Sequence, residues 1–174
     1  LIREAQERYA ATWSIARWAS QELEPETIYF DDFGLEMPSS WEKAKASAAC
    51  GQLAYDIIVN ATKAVIDQKY SAIVTAPASK ESVNLAGIEF TGHTELIADL
   101  CDCENFNMMQ SADDMRFVFV TNHIALNRGS TELTKDKLCR TIQLLHEACL
   151  AEGIEKPKLA AAGLNPHAGE MGYM

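Results

Sequence analysis

Apolar positions recur at three- and four-residue spacing in some stretches of the chain and crowd into short runs in others. From about Glu4 to Leu23, Ala5, Tyr9, Trp13 and Ala16 make one stripe, which predicts a helix closed by Glu24-Pro25-Glu26. Thr27-Ile28-Tyr29-Phe30 reads as a short strand, followed by an acidic turn at Asp31-Asp32. Ser39 or Ser40 is positioned to cap a long helix to about Gln68, with Ala46, Cys50, Leu53, Ile57, Ala61 and Ala64 on the buried face. Ser71 to Thr75 predicts a buried strand that breaks at Ala76-Pro77, and Met115 to Thr121 predicts a second that ends before Asn122-His123. Thr134 caps a helix to about Glu152 with Leu138, Ile142, Leu145 and Cys149 on one face, and Lys158 to Ala162 predicts a third strand running into Gly163. Strands alternating with long amphipathic helices predict an α/β fold with a largely parallel sheet flanked by helices. No internal repeat, low-complexity tract or linker stands out.

Composition narrows the classes of function. Of the 174 residues 48% are hydrophobic and 23% charged, which is globular rather than disordered. No apolar run reaches the roughly 18 residues that span a bilayer, and Leu1-Ile2-Arg3-Glu4 has no signal-peptide layout, so no membrane partner is expected. A formal charge of −10 argues against nucleic acid, whose phosphates need clustered cations. A small phosphate remains possible where a few cations and backbone N–H groups converge. Five cysteines show no framework spacing, and Cys101-Asp102-Cys103 lacks the second pair of a zinc tetrad, so reduced thiols and a cytoplasmic location are expected. A start at Leu1 and a stop at Met174, soon after a Gly-containing loop, read as an internal fragment with both ends missing.

The chemistry gathers after the strands. The three strand ends carry Thr75-Ala76-Pro77-Ala78-Ser79-Lys80, Thr121-Asn122-His123, and Gly163-Leu164-Asn165-Pro166-His167-Ala168-Gly169-Glu170. Ligands of open α/β sheets bind beyond such carboxyl ends. His123 and His167 therefore reach the functional edge, where neutral imidazoles suit a divalent metal; the plainer reading of each is a turn residue bonded to backbone. His93 and Thr94, in Thr91-Gly92-His93-Thr94-Glu95, stand where a helix through Leu96, Ile97 and Leu100 begins. There they either contact an anionic substrate or serve as ordinary capping residues. Lys80 is a solvated loop lysine or an anion contact. His146 is a helix-face histidine, and Asp113-Asp114 is a turn.

Thr75-Ala76-Pro77, Lys80, Asn84-Leu85-Ala86-Gly87-Ile88 and Thr91-Gly92-His93-Thr94-Glu95 together resemble a signature of the 4-hydroxythreonine-4-phosphate dehydrogenase family. The resemblance runs on in order through Met108-Met109, Arg116, Val120-Thr121-Asn122-His123 and the Asn165-Pro166-His167 loop, and covers roughly residues 51–172. It implies an isocitrate-dehydrogenase-like fold, and a 174-residue piece of a two-domain α/β dehydrogenase with no internal boundary assigned. It also implies homodimers with the active site near the interface. The implied chemistry is NAD-linked (or NADP-linked) oxidation of a small phosphorylated hydroxy acid, followed by loss of CO₂. His93 and Thr94 are implied as substrate contacts. His123 and His167 are implied as metal ligands, with zinc first and magnesium, manganese or cobalt as alternatives. Catalytic and cofactor-binding residues are not assigned.

The departures from the family pattern are specific. Its Gly/Pro-rich opening, a further His in a His-Asp-Gln segment, and the Lys, Asn and Arg completing the substrate site are absent. Asn122 stands where many relatives carry Thr, and Ala125 where many carry Pro. The implied substrate is 4-phosphohydroxy-L-threonine of pyridoxal phosphate biosynthesis, or 4-phospho-D-threonate or -erythronate of four-carbon acid catabolism. A non-catalytic metal- or anion-binding α/β protein is the alternative class. A metal-dependent hydrolase ranks last, because the strand ends supply no aspartate-rich ligand set.

Overall fold

The structure is a computed structural model and describes residues 7–8, 14–18 and 23–173. It forms two compact units, Leu1–Leu100 and Cys101–Met174.

In the first unit, strand β1 (Ser14–Arg17) pairs in parallel with β2 (Thr27–Phe30), Ile15 opposite Ile28 and Ala16 opposite Tyr29. Backbone bonds from Ser14 N to Glu26 O (3.0 Å) and from Trp18 N to Phe30 O (2.8 Å) extend the ladder at both ends. This corrects the helix predicted over residues 4–23. Glu7 and Arg8 are helical, but the stretch holding Ala16 is a strand, and Ala5, Tyr9 and Trp13 lie outside the described residues. A partner strand and an aromatic anchor override helical spacing here: the Trp18 ring meets Tyr29 and Tyr70 edge-on, at 6.0 and 6.3 Å.

Helix α1 (Ala48–Ile66) starts nine residues later than the first predicted cap, because Ser47 performs the capping. Its backbone is extended (φ −152°) and its Oγ accepts from Cys50 N at 3.3 Å. Before it the chain turns at Trp41 and Lys45, and Ala44 has a φ of 61°, which no helix accepts. Of the predicted face of α1 Ala64 is buried, but Gly51, Ile58 and Thr62 make up the rest of the buried stripe and Ile57 is exposed. The reason is Gly51. A Cβ there would lie 1.9 Å from Ser82 O, so α1 meets the next helix backbone to backbone at that residue. Thr62 satisfies its buried hydroxyl by donating to Ile58 O at 2.8 Å.

Residues 71–79 carry no ladder among the described residues, although a strand is predicted over Ser71–Thr75. Helix α2 (Lys80–Leu85) is capped by Ser79, whose Oγ accepts from Ser82 N at 3.2 Å, and Gly87 (φ 80°) follows it. Asn84 Nδ2 donates to Lys80 O (2.8 Å) and Phe90 O (3.1 Å), tying the segment after α2 back onto it. Helix α3 (His93–Leu100) follows. Ile58, Val83 and Phe90 form the core between them, with Tyr55, Ala78, Ile88 and Leu96 packed around.

In the second unit, β3 (Met109–Ala112) and β4 (Met115–Val118) form an antiparallel hairpin about the expected Asp113-Asp114 turn, with Asp113 at a φ of 48°. The strand predicted to Thr121 thus stops at Val118. Short helices follow at Leu126–Arg128 and α4 (Gly129–Glu132). Helix α5 (Lys135–Ala151) is capped as predicted by Thr134, whose hydroxyl accepts from Lys137 N at 3.2 Å. His146 is on its exposed surface. Arg116 of β4 reaches Glu152, just past α5, through Nε and Nη2, both at 2.7 Å. Residues 158–162 carry no ladder among the described residues. Instead Leu159 to Ala162, Val118 to Thr121 and the α5 face of Leu138, Ile142 and Leu145 enclose a groove of about 500 Å³.

Candidate active site

The predicted site residues divide two and two between the units. In the first, His93 and Thr94 open α3 and are half-buried. His93 is held edge-on to Phe90, ring centroids 5.9 Å apart, so the core fixes its imidazole. It lines a cleft of about 290 Å³ whose other walls are residues 75–79, Ser82, and the Cys50, Ala54 and Ile57–Ile58 side of α1. The cleft therefore joins the segment predicted as a strand end to the helix start predicted as a substrate contact. Gly51, beside the lining residue Cys50, lets α1 approach the backbone of Ser82, another wall of the cleft.

In the second unit, His123 follows the turn after β4 with a φ of 53° and is exposed. Asn107 holds that turn. Its Nδ2 donates to Phe119 O at 2.9 Å, and its Oδ1 accepts from Asn122 Nδ2 at 2.9 Å and from Met108 N at 2.7 Å. No periodicity or motif singles Asn107 out in the sequence; the side chain matters because it bridges residues far apart in the chain. His167 lies in the Pro166–Gly172 turn. Residues 167–171 all have positive φ, four of them without glycine's freedom. Gly163 makes the entry possible, since a Cβ there would meet Ala168 Cα at 3.1 Å and Asn165 O at 3.3 Å. His167 Nδ1 is 4.0 Å from Glu170 Oε1, and both side chains are open to solvent.

Imidazoles are suitable donors for a borderline divalent ion. Among the described residues no three His, Cys, Asp or Glu side chains converge to hold one. The described residues thus offer two imidazole donors of suitable chemistry and no complete ligand set.

The first unit thus holds a cleft at a helix start, walled by Thr75-Ala76-Pro77 and His93, in a chain of mixed helices and strands. Residues 2–174 match the family described as pyridoxal phosphate biosynthetic protein PdxA, and the chain belongs to it. It is 35% identical over 159 residues to D-threonate 4-phosphate dehydrogenase of Salmonella typhimurium, covering 91% of this chain and 49% of that protein. It is 41% identical over 128 residues to 4-hydroxythreonine-4-phosphate dehydrogenase of Beijerinckia indica, covering 74% of this chain and 38% of the relative. The crystal structure of 4-hydroxythreonine-4-phosphate dehydrogenase from Klebsiella pneumoniae superposes with a TM-score of 0.81 at 30% identity, over 92% of this chain and 50% of that one. The corresponding Burkholderia phymatum structure gives 0.76 at 31% identity, over 99% and 53%. The α/β class expected from the alternating elements is thereby established. The chain spans about half the length of the relatives it matches.

Proposed function

We propose that this chain is part of an NAD-linked dehydrogenase that oxidises the secondary alcohol of 4-phosphohydroxy-L-threonine, with decarboxylation, in pyridoxal phosphate biosynthesis. The observation that carries the reading is the family match over residues 2–174, together with His93 in a formed cleft at a helix start. In this reading His93 and Thr94 hold the anionic substrate by hydrogen bonds, helped by the N–H groups and dipole of α3. His123 and His167 are the chain's contribution to a divalent metal, zinc first, with magnesium, manganese or cobalt as alternatives. A bound ion supplies Lewis-acid polarisation of the reacting oxygen. The acceptor is NAD, with NADP as the alternative. The working protein is a cytoplasmic homodimer with its site near the subunit interface. No helix among the described residues is long and apolar enough to cross a membrane.

A second substrate is favoured by a specific observation. The 35% identity to a D-threonate 4-phosphate dehydrogenase extends over 91% of this chain, further than the match to the Beijerinckia indica protein. 4-Phospho-D-threonate is therefore the alternative substrate, in four-carbon acid catabolism.

NADH formation tests the reading. The 174-residue chain and the longer protein that carries it are assayed with each phosphorylated acid, with and without chelator. The longer protein is expected to turn over one of them, to lose activity with chelator and to regain it with zinc. The chain alone is expected to be inactive, since two histidines make an incomplete metal site. Failure on both acids, with any added divalent ion, overturns the dehydrogenase reading in favour of a binding role.

A further inference from the structure

Glu95 lies one residue beyond the proposed substrate contacts. Its Oε2 is buried and has no hydrogen-bond partner among the described residues. A buried carboxylate oxygen left in that state is costly, so a cation or a donor nearby stabilises it. Gly92 makes room for one. The point where a Gly92 Cβ would stand is 3.0 Å from Glu95 Oε2 and 3.9 Å from the Lys80 ammonium nitrogen. The Lys80 stem approaches the same point, with Cε at 4.0 Å. The carboxylate oxygen and the ammonium nitrogen thus both border the space that the missing Gly92 side chain leaves free. Lys80 opens α2 directly after the cleft wall of residues 75–79, while Glu95 is in the first turn of α3.

We propose that Lys80 is a substrate-binding residue of this cleft and that Glu95 is its positioning residue. Lys80 supplies the cation for an anionic group of the substrate, phosphate or carboxylate, beside His93 and Thr94. Glu95 holds the ammonium on the Gly92 side, where it faces that group rather than open solvent. Lysine suits the task as a compact point charge on a flexible stem. The proposal deepens the substrate-site reading of His93 and Thr94 and rests on it.

The test is site-resolved reductive methylation of lysines in the 174-residue chain, read by mass spectrometry, with inorganic phosphate as the anion and chloride at equal ionic strength as the control. Phosphate is expected to slow labelling of Lys80 and to leave Lys63, on α1, unaffected. Glu95→Gln is expected to speed labelling of Lys80 about threefold, the scale of one partly exposed ion pair. Gly92→Ala is expected to do the same by displacing the Glu95 carboxylate, and it keeps the test open if Glu95→Gln misfolds. Both variants are expected to lose the phosphate protection. Equal Lys80 labelling in wild type and both variants overturns the pairing; labelling indifferent to phosphate overturns the anion role. In the longer protein, Lys80→Met is expected to raise KM for the phosphorylated acid about tenfold with kcat nearly unchanged, and Lys80→Arg to restore most of it. A kcat loss with KM unchanged overturns the binding role. Labelling is read without turnover, so a failed dehydrogenase assay beside a protected Lys80 rejects the activity and keeps the anion site.

Discussion

Lys69 Nζ lies 2.6 Å from Asp31 Oδ2, and the Tyr70 hydroxyl donates to the same oxygen at 3.0 Å. Asp31 Oδ1 also accepts from Phe33 N at 3.0 Å, so one carboxylate ties the turn after β2 to the segment following α1. The Lys69 hydrogen bond, then that of Phe33 N, holds the Asp31 carboxyl below its ordinary 3.8, and bonding to Asp31 raises the Lys69 ammonium above its ordinary 10.5. Asp31 therefore contributes stability that is full above its unfolded value and is lost as pH falls through the lower folded value. The Lys69 contribution is full below 10.5 and is lost as pH rises through its raised folded value. Asp31→Asn is expected to lower stability by about 1 kcal/mol at neutral pH and to shrink the loss of stability below about pH 4. Urea midpoints across the acid range check this; an unchanged acid limb in the variant sinks it.

Gly51→Ala places a methyl group 1.9 Å from a backbone oxygen, which no rotamer change relieves. Separation of α1 from α2 is expected to cost about 3 kcal/mol or more. A thermal midpoint within a degree or two of wild type would show that the two helices do not meet as described.

Ser47→Ala and Thr134→Ala each remove the side-chain acceptor at the start of a long helix. Each is expected to destabilise by about 1 kcal/mol, with Ser47→Asp close to neutral. Amide exchange is the discriminating measurement. Faster exchange should begin at the first turn of the affected helix rather than spread through its length.

Arg116 uses its guanidinium both for Glu152 and for the carbonyls of Asp113 and Met115, at 2.9 and 3.1 Å. Its side chain is only 19% exposed, so the contact is partly sheltered from solvent. Arg116→Lys keeps the charge but cannot reproduce this fork, and is expected to cost about 1–2 kcal/mol in chemical denaturation. A lysine variant as stable as wild type would reduce the contact to an ordinary surface pair.

What could be read from the sequence follows the range of the forces involved. Thr134 and the α5 span, the Asp113-Asp114 turn, and His93 and Thr94 at a helix start all rest on local rules, and the structure places them as expected. The start of α1 was misplaced because three serines precede it and local preference does not choose between them. Apart from Ala64, its buried face departs from the predicted one because the Gly51–Ser82 approach is a contact between distant residues. Local spacing predicts helix at β1, but each of its residues pairs with one thirteen positions further on, and pairing outweighs periodicity. In the site, the chemistry of the loops predicted to follow the strands is legible, although two of those strands carry no ladder among the described residues. The Asn107 bonds and the place of Glu95 and Lys80 beside Gly92 are not, since neither leaves a trace in spacing.

The clasp between Asn107 and Asn122 has an evolutionary consequence. A side chain at position 122 that cannot donate leaves Asn107 Oδ1 without this bond. The two positions are thus epistatic. Exchanging Asn122 alone leaves Asn107 with one partner fewer and loosens the turn before His123, so a chimera should inherit both asparagines or neither.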